Sequence, residues 1–105
     1  MSTLSKAAQD VLAERQRQIE TGGRTPEHDD AYKSCELGRA AACYAHAATL
    51  TPADREEMIS VRAVPLTWPW HENWWKPTNR RRDLVKAGAL ILAEIERLDR
   101  AEQKR

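Results

Sequence analysis

The feature that most constrains the fold is the apolar pattern of the last quarter of the chain. Residues 80–103, "RRRDLVKAGALILAEIERLDRAEQ", place apolar residues or glycine three or four positions apart, at Leu84, Gly88, Ile91, Ile95 and Leu98. This spacing is the period of an amphipathic helix. No segment shows the strict alternation that predicts a half-buried strand, so the sequence predicts an all-α protein whose final helix carries these residues on one face.

Two earlier segments also predict helices. Residues 4–20 have apolar residues at helical spacing, and the run stops at two glycines, which are typical of a helix end. Residues 32–50 are rich in alanine, and their small side chains allow a neighbouring helix to approach closely. The predicted apolar positions are Leu4, Ala8, Val11, Leu12 and Ile19 in the first helix, and Leu37, Ala40, Ala41, Tyr44 and Ala48 in the central one.

Capping residues define the remaining elements. Thr25 followed by Pro26, and Thr51 followed by Pro52, have the form of a helix N-cap with proline at the first helical position. The second pair predicts a short helix that ends near Val61. Residues 62–79 hold three prolines and all four tryptophans without a period, so we expect an ordered loop. The prediction is one domain of about four helices over residues 1–105, frayed at 1–3 and 101–105.

Charge and length limit the classes of function. The chain has 17 basic and 16 acidic side chains and a net charge of +1, so an anion site has to be local. Apart from "RRR" at 80–82 there is no basic recognition stripe, and we expect no DNA binding. There is no apolar run of membrane-spanning length and no secretory signal, which predicts a cytoplasmic protein without a membrane partner. A domain of 105 residues buries little surface, which favours a homo-oligomer.

Carboxylates are the first candidate site. The set comprises Glu14 and Glu20 on the first helix, Glu27, Asp29 and Asp30 in the following loop, Glu36 on the central helix and Asp83 near the start of the last helix. Mg²⁺ takes oxygen ligands and is commonly held by a few carboxylates together with substrate phosphates. Glu36 lies among small and apolar residues, where an unpaired carboxylate is costly, so it needs an arginine or a metal ion as partner. The alternative is that these acids only solvate the surface. His28 in "EHDD" has two interpretations as well: it binds a metal or acts as a general base, or the segment only caps a loop and forms hydrogen bonds. The predicted metal ligands are Glu36, Asp83, Glu20, Asp29 and Asp30.

The segment "WPWHENWWKPTNRRRD", residues 68–83, is the second candidate site. Arginines at a helix start lie where phosphates bind readily, and tryptophans stack on nucleobases. The alternative is a structural role, because a chain without phenylalanine needs bulky core residues, and Trp68 and Trp70 suit a core pair. The predicted ligand-binding residues are Arg80, Arg81, Arg82, Lys76, Trp74 and Trp75.

Three stretches, residues 14–20, 25–45 and 74–100, resemble a family of small phage and prophage proteins with no established activity. The order of parts is more distantly similar to MazG-like nucleotide pyrophosphohydrolases, which are all-α oligomers. The resemblance implies Mg²⁺-dependent cleavage of nucleoside triphosphates by carboxylates in two motifs, Glu-Glu-x-x-Glu and Glu-x-x-Asp. Glu36 and Asp83 match one position in each motif and are the predicted catalytic residues, whereas Cys35, Arg39 or Ala40, and Arg80 stand where other acids are expected.

Three hypotheses follow. The first is a Mg²⁺-dependent nucleotide pyrophosphohydrolase built on Glu36 and Asp83. The second is a non-catalytic protein that sequesters a nucleotide or a nucleotide-derived signal, as a phage counter-defence protein does, with arginines in place of the metal. The third is a structural protein whose alanine-rich helix and tryptophan loop build an oligomer. The retained Glu36 and Asp83 place the enzyme narrowly first.

Overall fold

The computed structural model describes residues 3–104, and every regular element in that range is helical. The predicted all-α fold is therefore confirmed. Met1, Ser2 and Arg105, which fall in the predicted frayed ends, lie outside the described residues, whereas residues 101–103 belong to the last helix. The elements are α1 (Lys6–Glu20), α2 (Pro26–Asp29), α3 (Glu36–Thr49), α4 (Pro52–Ser60), a 3₁₀ turn (Glu72–Trp74) and α5 (Arg80–Gln103).

Local capping sets most of the helix starts. The hydroxyl of Thr25 accepts from the His28 N–H at 3.2 Å, and that of Thr51 accepts from the Asp54 N–H at 3.1 Å. Both predicted caps are confirmed, each with proline in the first turn. The central helix begins four residues later than expected, because its N-cap, Cys35, adopts a left-handed conformation with φ 62°. Residues 32–35 therefore form an irregular segment that leads into α3.

The core is the interface between α3 and α5, and much of it is alanine. The predicted apolar positions of α3 are all buried, which confirms that face. Small side chains on both helices allow the two backbones to approach closely. The core therefore gains its dispersion contacts from close packing and needs few bulky side chains. The alanines in this interface are Ala40, Ala41 and Ala47 of α3 and Ala87 and Ala93 of α5.

The faces that α1 and α5 bury differ from their predicted apolar faces. In α5, Leu84, Ile91, Ile95 and Leu98 are each about half exposed, and the helix turns its alanines inward instead. The alanines of α5 are buried because their small side chains fit against the alanine face of α3. Gly88 lies under α1, since a Cβ there would be 3.2 Å from the Val11 methyl groups. The buried side chains of α1 are polar: Glu14, Arg15 and Gln18.

The tryptophan loop closes one end of this core. Trp68 and Trp75 are buried and pack on Tyr44, with ring centroids 5.6 and 4.7 Å from the tyrosine ring. Of the predicted core pair, Trp68 is confirmed, but Trp75 rather than Trp70 is its fully buried neighbour. Trp70 is only partly buried at the edge of the cluster. No helix in the described range has both the length and the apolar character needed to cross a membrane.

Candidate functional site

A cleft runs between α1, the start of α5 and the tryptophan loop. Its outer part, about 440 Å³, is lined by α1 and by the first turns of α5. Its inner part, about 230 Å³, reaches the tryptophan loop, and the two parts share Glu14 and Arg17. We call the two parts the outer cleft and the aromatic pocket. Their charged and aromatic lining residues are Asp10, Glu14, Arg17, Arg81 and Arg82 in the outer cleft, with Arg24, Tyr44, Trp68, Trp70, Trp74, Lys76 and Lys86 added in the aromatic pocket.

Glu14 organises the junction of the two parts. Its carboxylate is buried and accepts two hydrogen bonds from the Arg17 guanidinium, at 2.8 and 2.9 Å. Arg82 donates to the same carboxylate from α5, and Gln18 donates at 3.0 Å. Burial by itself raises the pKa of the Glu14 carboxyl, but the hydrogen bonds from Arg17 and Gln18 and the charge of Arg82 outweigh it and hold the pKa below its ordinary value. Glu14 is therefore ionised at neutral pH and fixes two guanidinium groups.

The two guanidinium groups keep donors on the cleft side. The Arg17 side chain is 51% exposed and that of Arg82 is 38% exposed, although the carboxylate between them is buried. A guanidinium has five N–H donors, so a bidentate bond to Glu14 leaves others available. Arg81, which is exposed, pairs with Asp10 at 2.9 Å at the rim. The outer cleft thus presents three arginines whose partners hold them in place without covering them.

The aromatic pocket combines exposed tryptophan surface with cations. Trp74 is 59% exposed, and the Lys76 ammonium lies 5.6 Å from its ring centroid. One face of Trp70 is covered by Arg24, whose guanidinium carbon lies 3.8 Å from the ring centroid. Trp74 is therefore the tryptophan with a face open for stacking.

Lys86 forms the floor of the aromatic pocket. Its ammonium donates to the Lys76 carbonyl at 2.7 Å and lies 5.3 Å from the Tyr44 ring centroid. Burial lowers the pKa of Lys86, against the charge of Asp83, which raises it. An anion in the pocket would offset the cost of keeping this ammonium charged.

The predicted ligand-binding residues divide into two groups. Arg81, Arg82, Lys76 and Trp74 line the cleft, and their role in ligand binding stays a prediction. Arg80 does not, because its Nε donates to the Ala48 carbonyl at 2.9 Å and caps the end of α3. Trp75 is buried against Tyr44 and Trp68, so its indole is part of the core and is not accessible for stacking on a ligand.

The predicted metal ligands are engaged in separate hydrogen bonds or ion pairs. Among residues 3–104, no three acidic, histidine or cysteine side chains group in a way that could hold a metal ion. Glu36, one of the two predicted catalytic residues, accepts from the Ser34 N–H at 2.8 Å at the start of α3, and Glu20 accepts from Gln16. These donor sets do not fit Mg²⁺, which requires several oxygen ligands around one point.

The aspartates of the predicted set are held by arginines. Asp83 is buried, accepts from Arg55 at 2.9 Å and accepts from the Thr78 N–H at 2.9 Å. Asp29 is buried beside Arg15, at 3.2 Å, and burial raises the pKa of Asp29 against that cation. Asp30 pairs with Arg100. Asp83, Asp29 and Asp30 therefore each pair with an arginine of the fold.

The contacts of His28 in the described residues are also structural. Its backbone N–H is capped by Thr25, and its ring meets the Tyr32 ring edge-on, with centroids 5.3 Å apart. Of the two interpretations of "EHDD", the capped turn matches these contacts, although the cap is Thr25 rather than an acid of the motif.

Sequence reasoning included Glu14 among the candidate carboxylates but did not place it at the centre of a cleft, and it missed Arg17, Arg24 and Lys86. A signal was present in α1, where polar side chains recur three or four positions apart through Asp10, Glu14, Arg17, Gln18 and Thr21. Such a polar face on a helix that packs against another helix indicates a lined cleft. The apolar residues interleaved with it obscured the signal.

Comparison with known proteins gives no further assignment. The chain matches no family model, and no curated protein or solved structure is significantly similar to it.

Proposed function

We propose that this protein binds a nucleoside phosphate in the cleft between α1, α5 and the tryptophan loop. The observation that supports the proposal is the placement of an exposed indole, Trp74, and of arginines and lysines in two adjoining cavities that share Glu14 and Arg17. The base would stack on Trp74, and the phosphates would lie toward Arg17, Arg81 and Arg82. Base stacking and charge-assisted phosphate contacts are the two interactions on which nucleotide recognition depends.

Glu14 has a positioning role in this proposal. Its carboxylate holds Arg17 from α1 and Arg82 from α5, so that both guanidinium groups are oriented before a ligand arrives. Preorganised donors bind an anion without the cost of ordering flexible side chains. Lys86 and Lys76 extend the positive lining toward the base.

The proposed binding is independent of metal, since arginines provide the positive charge. This favours the sequestering protein among the three hypotheses, and the resemblance to phage and prophage proteins is in keeping with it. In this proposal the protein acts in the cytoplasm, where nucleoside phosphates are made, and as a homo-oligomer. Pyrophosphohydrolysis with Mg²⁺, based on Glu36 and Asp83, stays a prediction.

Calorimetric titration of the purified protein with nucleoside and deoxynucleoside triphosphates, in the presence of a chelator, tests the proposal. Nucleosides and inorganic pyrophosphate supply the base and the phosphates separately, and each is expected to bind more weakly than the whole nucleotide. Arg82→Ala is expected to weaken binding, whereas Arg39→Ala, an exposed arginine outside the cleft lining, serves as the matched control.

Mass spectrometry of the same mixtures, with Mg²⁺ or Mn²⁺ added, separates binding from hydrolysis. Intact nucleotide after incubation supports sequestration. Metal-dependent release of pyrophosphate and monophosphate, lost in Glu36→Gln, supports the pyrophosphohydrolase instead. If no nucleotide binds or shifts the melting temperature, the structural hypothesis takes precedence.

A further inference from the structure

A third cavity, of about 300 Å³, adjoins the aromatic pocket. Its lining side chains are aromatic or basic: Arg24, His28, Tyr32, Trp70, His71 and Trp74. Trp74 lines this cavity as well as the aromatic pocket, so a base stacked on its ring can extend from one into the other. We call it the edge cavity, because its polar groups are placed to meet the hydrogen-bonding edge of such a base.

His71 presents a donor whose position the backbone fixes. Its Nδ1 accepts from the Asn73 N–H at 3.0 Å. A neutral imidazole has one donor and one acceptor nitrogen, so the ring proton of His71 is on Nε2. The His71 carbonyl accepts from the Trp68 indole at 3.1 Å, which ties the residue to the buried aromatic cluster. The free ring nitrogen of His71 is therefore a donor on a turn that is anchored in the core.

Arg24 adds a second group of donors. Its guanidinium carbon lies 3.8 Å from the Trp70 ring centroid, and its Nη1 donates to the Tyr32 hydroxyl at 3.3 Å. A guanidinium has five N–H donors and no acceptor, so others are left for a ligand. Because Trp70 and Tyr32 hold the group in place, these donors are oriented before a ligand arrives.

Donors outnumber acceptors among the side chains of the edge cavity. No carboxylate or carboxamide of the described chain lines it. The Trp70 indole N–H is a further donor, buried without an acceptor in the same part of the chain. His28 directs Nδ1 toward the Asp29 carboxylate at 3.8 Å, so its Nε2 is the ring nitrogen that can accept. This lining favours a ligand edge that carries a carbonyl oxygen over one that carries an amino group.

We propose that the edge cavity selects nucleotides with a keto base (guanine, hypoxanthine, uracil or thymine) over those with adenine or cytosine. Keto bases present a carbonyl oxygen at the position where adenine and cytosine present an amino group. A donor opposite the carbonyl forms a hydrogen bond, whereas the same donor opposite an amino group leaves both unpaired. His71 and Arg24 supply these donors. The selection rests on the nucleotide binding proposed above and adds to it the class of base.

Calorimetric titration in chelator with two matched pairs of nucleotides tests the selection. Inosine and adenosine triphosphate carry the same sugar, phosphates and purine skeleton and differ at the keto or amino position and the adjacent ring nitrogen. Uridine and cytidine triphosphate form the equivalent pyrimidine pair. The wild-type protein is expected to bind the keto member of each pair about 10-fold or more tightly than the amino member.

Two variants assign the selection to its residues. His71→Ser retains a hydroxyl that can cap the Asn73 N–H but removes the Nε2 donor, and Arg24→Met removes the guanidinium. Each is expected to reduce the preference for inosine over adenosine triphosphate about threefold or more. His46→Ser is the matched control, because His46 is an exposed histidine of α3 outside the cavity and should leave the preference unchanged.

The outcomes separate this selection from nucleotide binding itself. Equal affinity for the two members of each pair, with binding that still depends on Arg82, would overturn the selection and leave the cleft function in place. Tighter binding of the amino members, or a preference that both His71→Ser and Arg24→Met leave unchanged, would also overturn it. A loss of the same size for both members in both variants would show that His71 and Arg24 only shape the cavity. Absence of binding by all four nucleotides would overturn the cleft function together with the selection.

Discussion

Two buried carboxylates near the start of α5 are each paired with arginine, yet their surroundings differ. Asp83 and its partner Arg55 are both enclosed, with side chains 0% and 11% exposed. Glu14 is equally buried, but its partners Arg17 and Arg82 are 51% and 38% exposed. The same type of ion pair therefore closes the core in one place and lines a cleft in the other.

The difference lies in what else each arginine contacts. Arg55 donates to the Ala47 and Thr78 carbonyls as well as to Asp83, and so joins the end of α3 to the start of α5. Arg82 has Glu14 as its side-chain hydrogen-bond acceptor and directs the rest of its guanidinium to the cleft. A buried acid indicates function only when its cationic partner retains unused donors facing open space.

The enclosed pair is expected to show the largest effect on stability. Arg55→Met leaves the Asp83 carboxylate buried with only the Thr78 N–H as partner, and loss of one member of such a pair costs about 3–5 kcal/mol. Arg17→Met leaves Glu14 with Arg82 and Gln18, so we expect a loss within about 1 kcal/mol. Urea unfolding of both variants measures the difference. Equal losses would contradict the distinction between an enclosed and an open pair.

Trp74 and Trp75 are adjacent in the tryptophan loop, but Trp75 is buried and Trp74 is exposed. Trp75→Ala removes a buried ring from the cluster with Tyr44 and Trp68 and is expected to cost about 3–5 kcal/mol in unfolding free energy. Trp74→Ala removes an exposed ring, with little effect on stability, but is expected to cost about 1–3 kcal/mol in nucleotide affinity. Thermal unfolding and calorimetric titration provide the two readouts. A Trp74→Ala protein that binds normally would remove the stacking role.

The outer cleft is expected to affect binding rather than folding. Arg82→Ala removes a cation that faces the phosphates, and charge-assisted hydrogen bonds contribute about 1.5–3 kcal/mol, so affinity should fall by about one to two orders of magnitude. The unfolding free energy should change by about 1 kcal/mol or less, because Arg17 still pairs with Glu14. Titration of Arg82→Ala beside Arg39→Ala measures this. Similar losses in both variants would indicate a nonspecific charge effect.

The smallest expected effect is on the pH dependence of stability. The pKa of Glu14 is lowered from 4.5 in the folded protein, so its contribution is fully present above about pH 4.5 and is lost as the pH falls through the folded-state pKa. The wild-type protein should therefore be more stable than Glu14→Gln at neutral pH, and this advantage should shrink in acid. Urea midpoints measured between about pH 6 and pH 3 test the trend. An advantage that grows in acid would mean that Glu14 is not an ionised partner of Arg17 and Arg82.

The parts of the fold that sequence could predict are those set locally. Thr51 caps the helix expected after it, Thr25 caps a four-residue helix where a loop or short turn was expected, and the buried face of α3 follows its helical period. The buried face of α5 could not be predicted in this way. Periodicity favours the bulky residues, but the alanine surface of α3 accepts the alanines of α5 and leaves Ile91 and its neighbours outside.

The candidate site was predictable only in part for a similar reason. Composition draws attention to the tryptophans and to "RRR", and Trp74, Arg81 and Arg82 do line the cleft. Which of two adjacent tryptophans is buried depends on the 3₁₀ turn that ends at Trp74 and on the packing of Trp75 against Tyr44 and Trp68, which are distant in sequence or in another element. The opposing wall comes from α1, and no local pattern connects Glu14 with Arg82, which lies 68 residues further along the chain.

The central claim is that the cleft binds a nucleoside phosphate without metal, and the most direct measurement is calorimetric titration of wild-type protein and Arg82→Ala with a nucleoside triphosphate panel in chelator. We predict that at least one nucleotide binds the wild-type protein and that its affinity falls at least tenfold in Arg82→Ala. Absence of binding by the whole panel, or binding that Arg82→Ala leaves unchanged, would contradict the account.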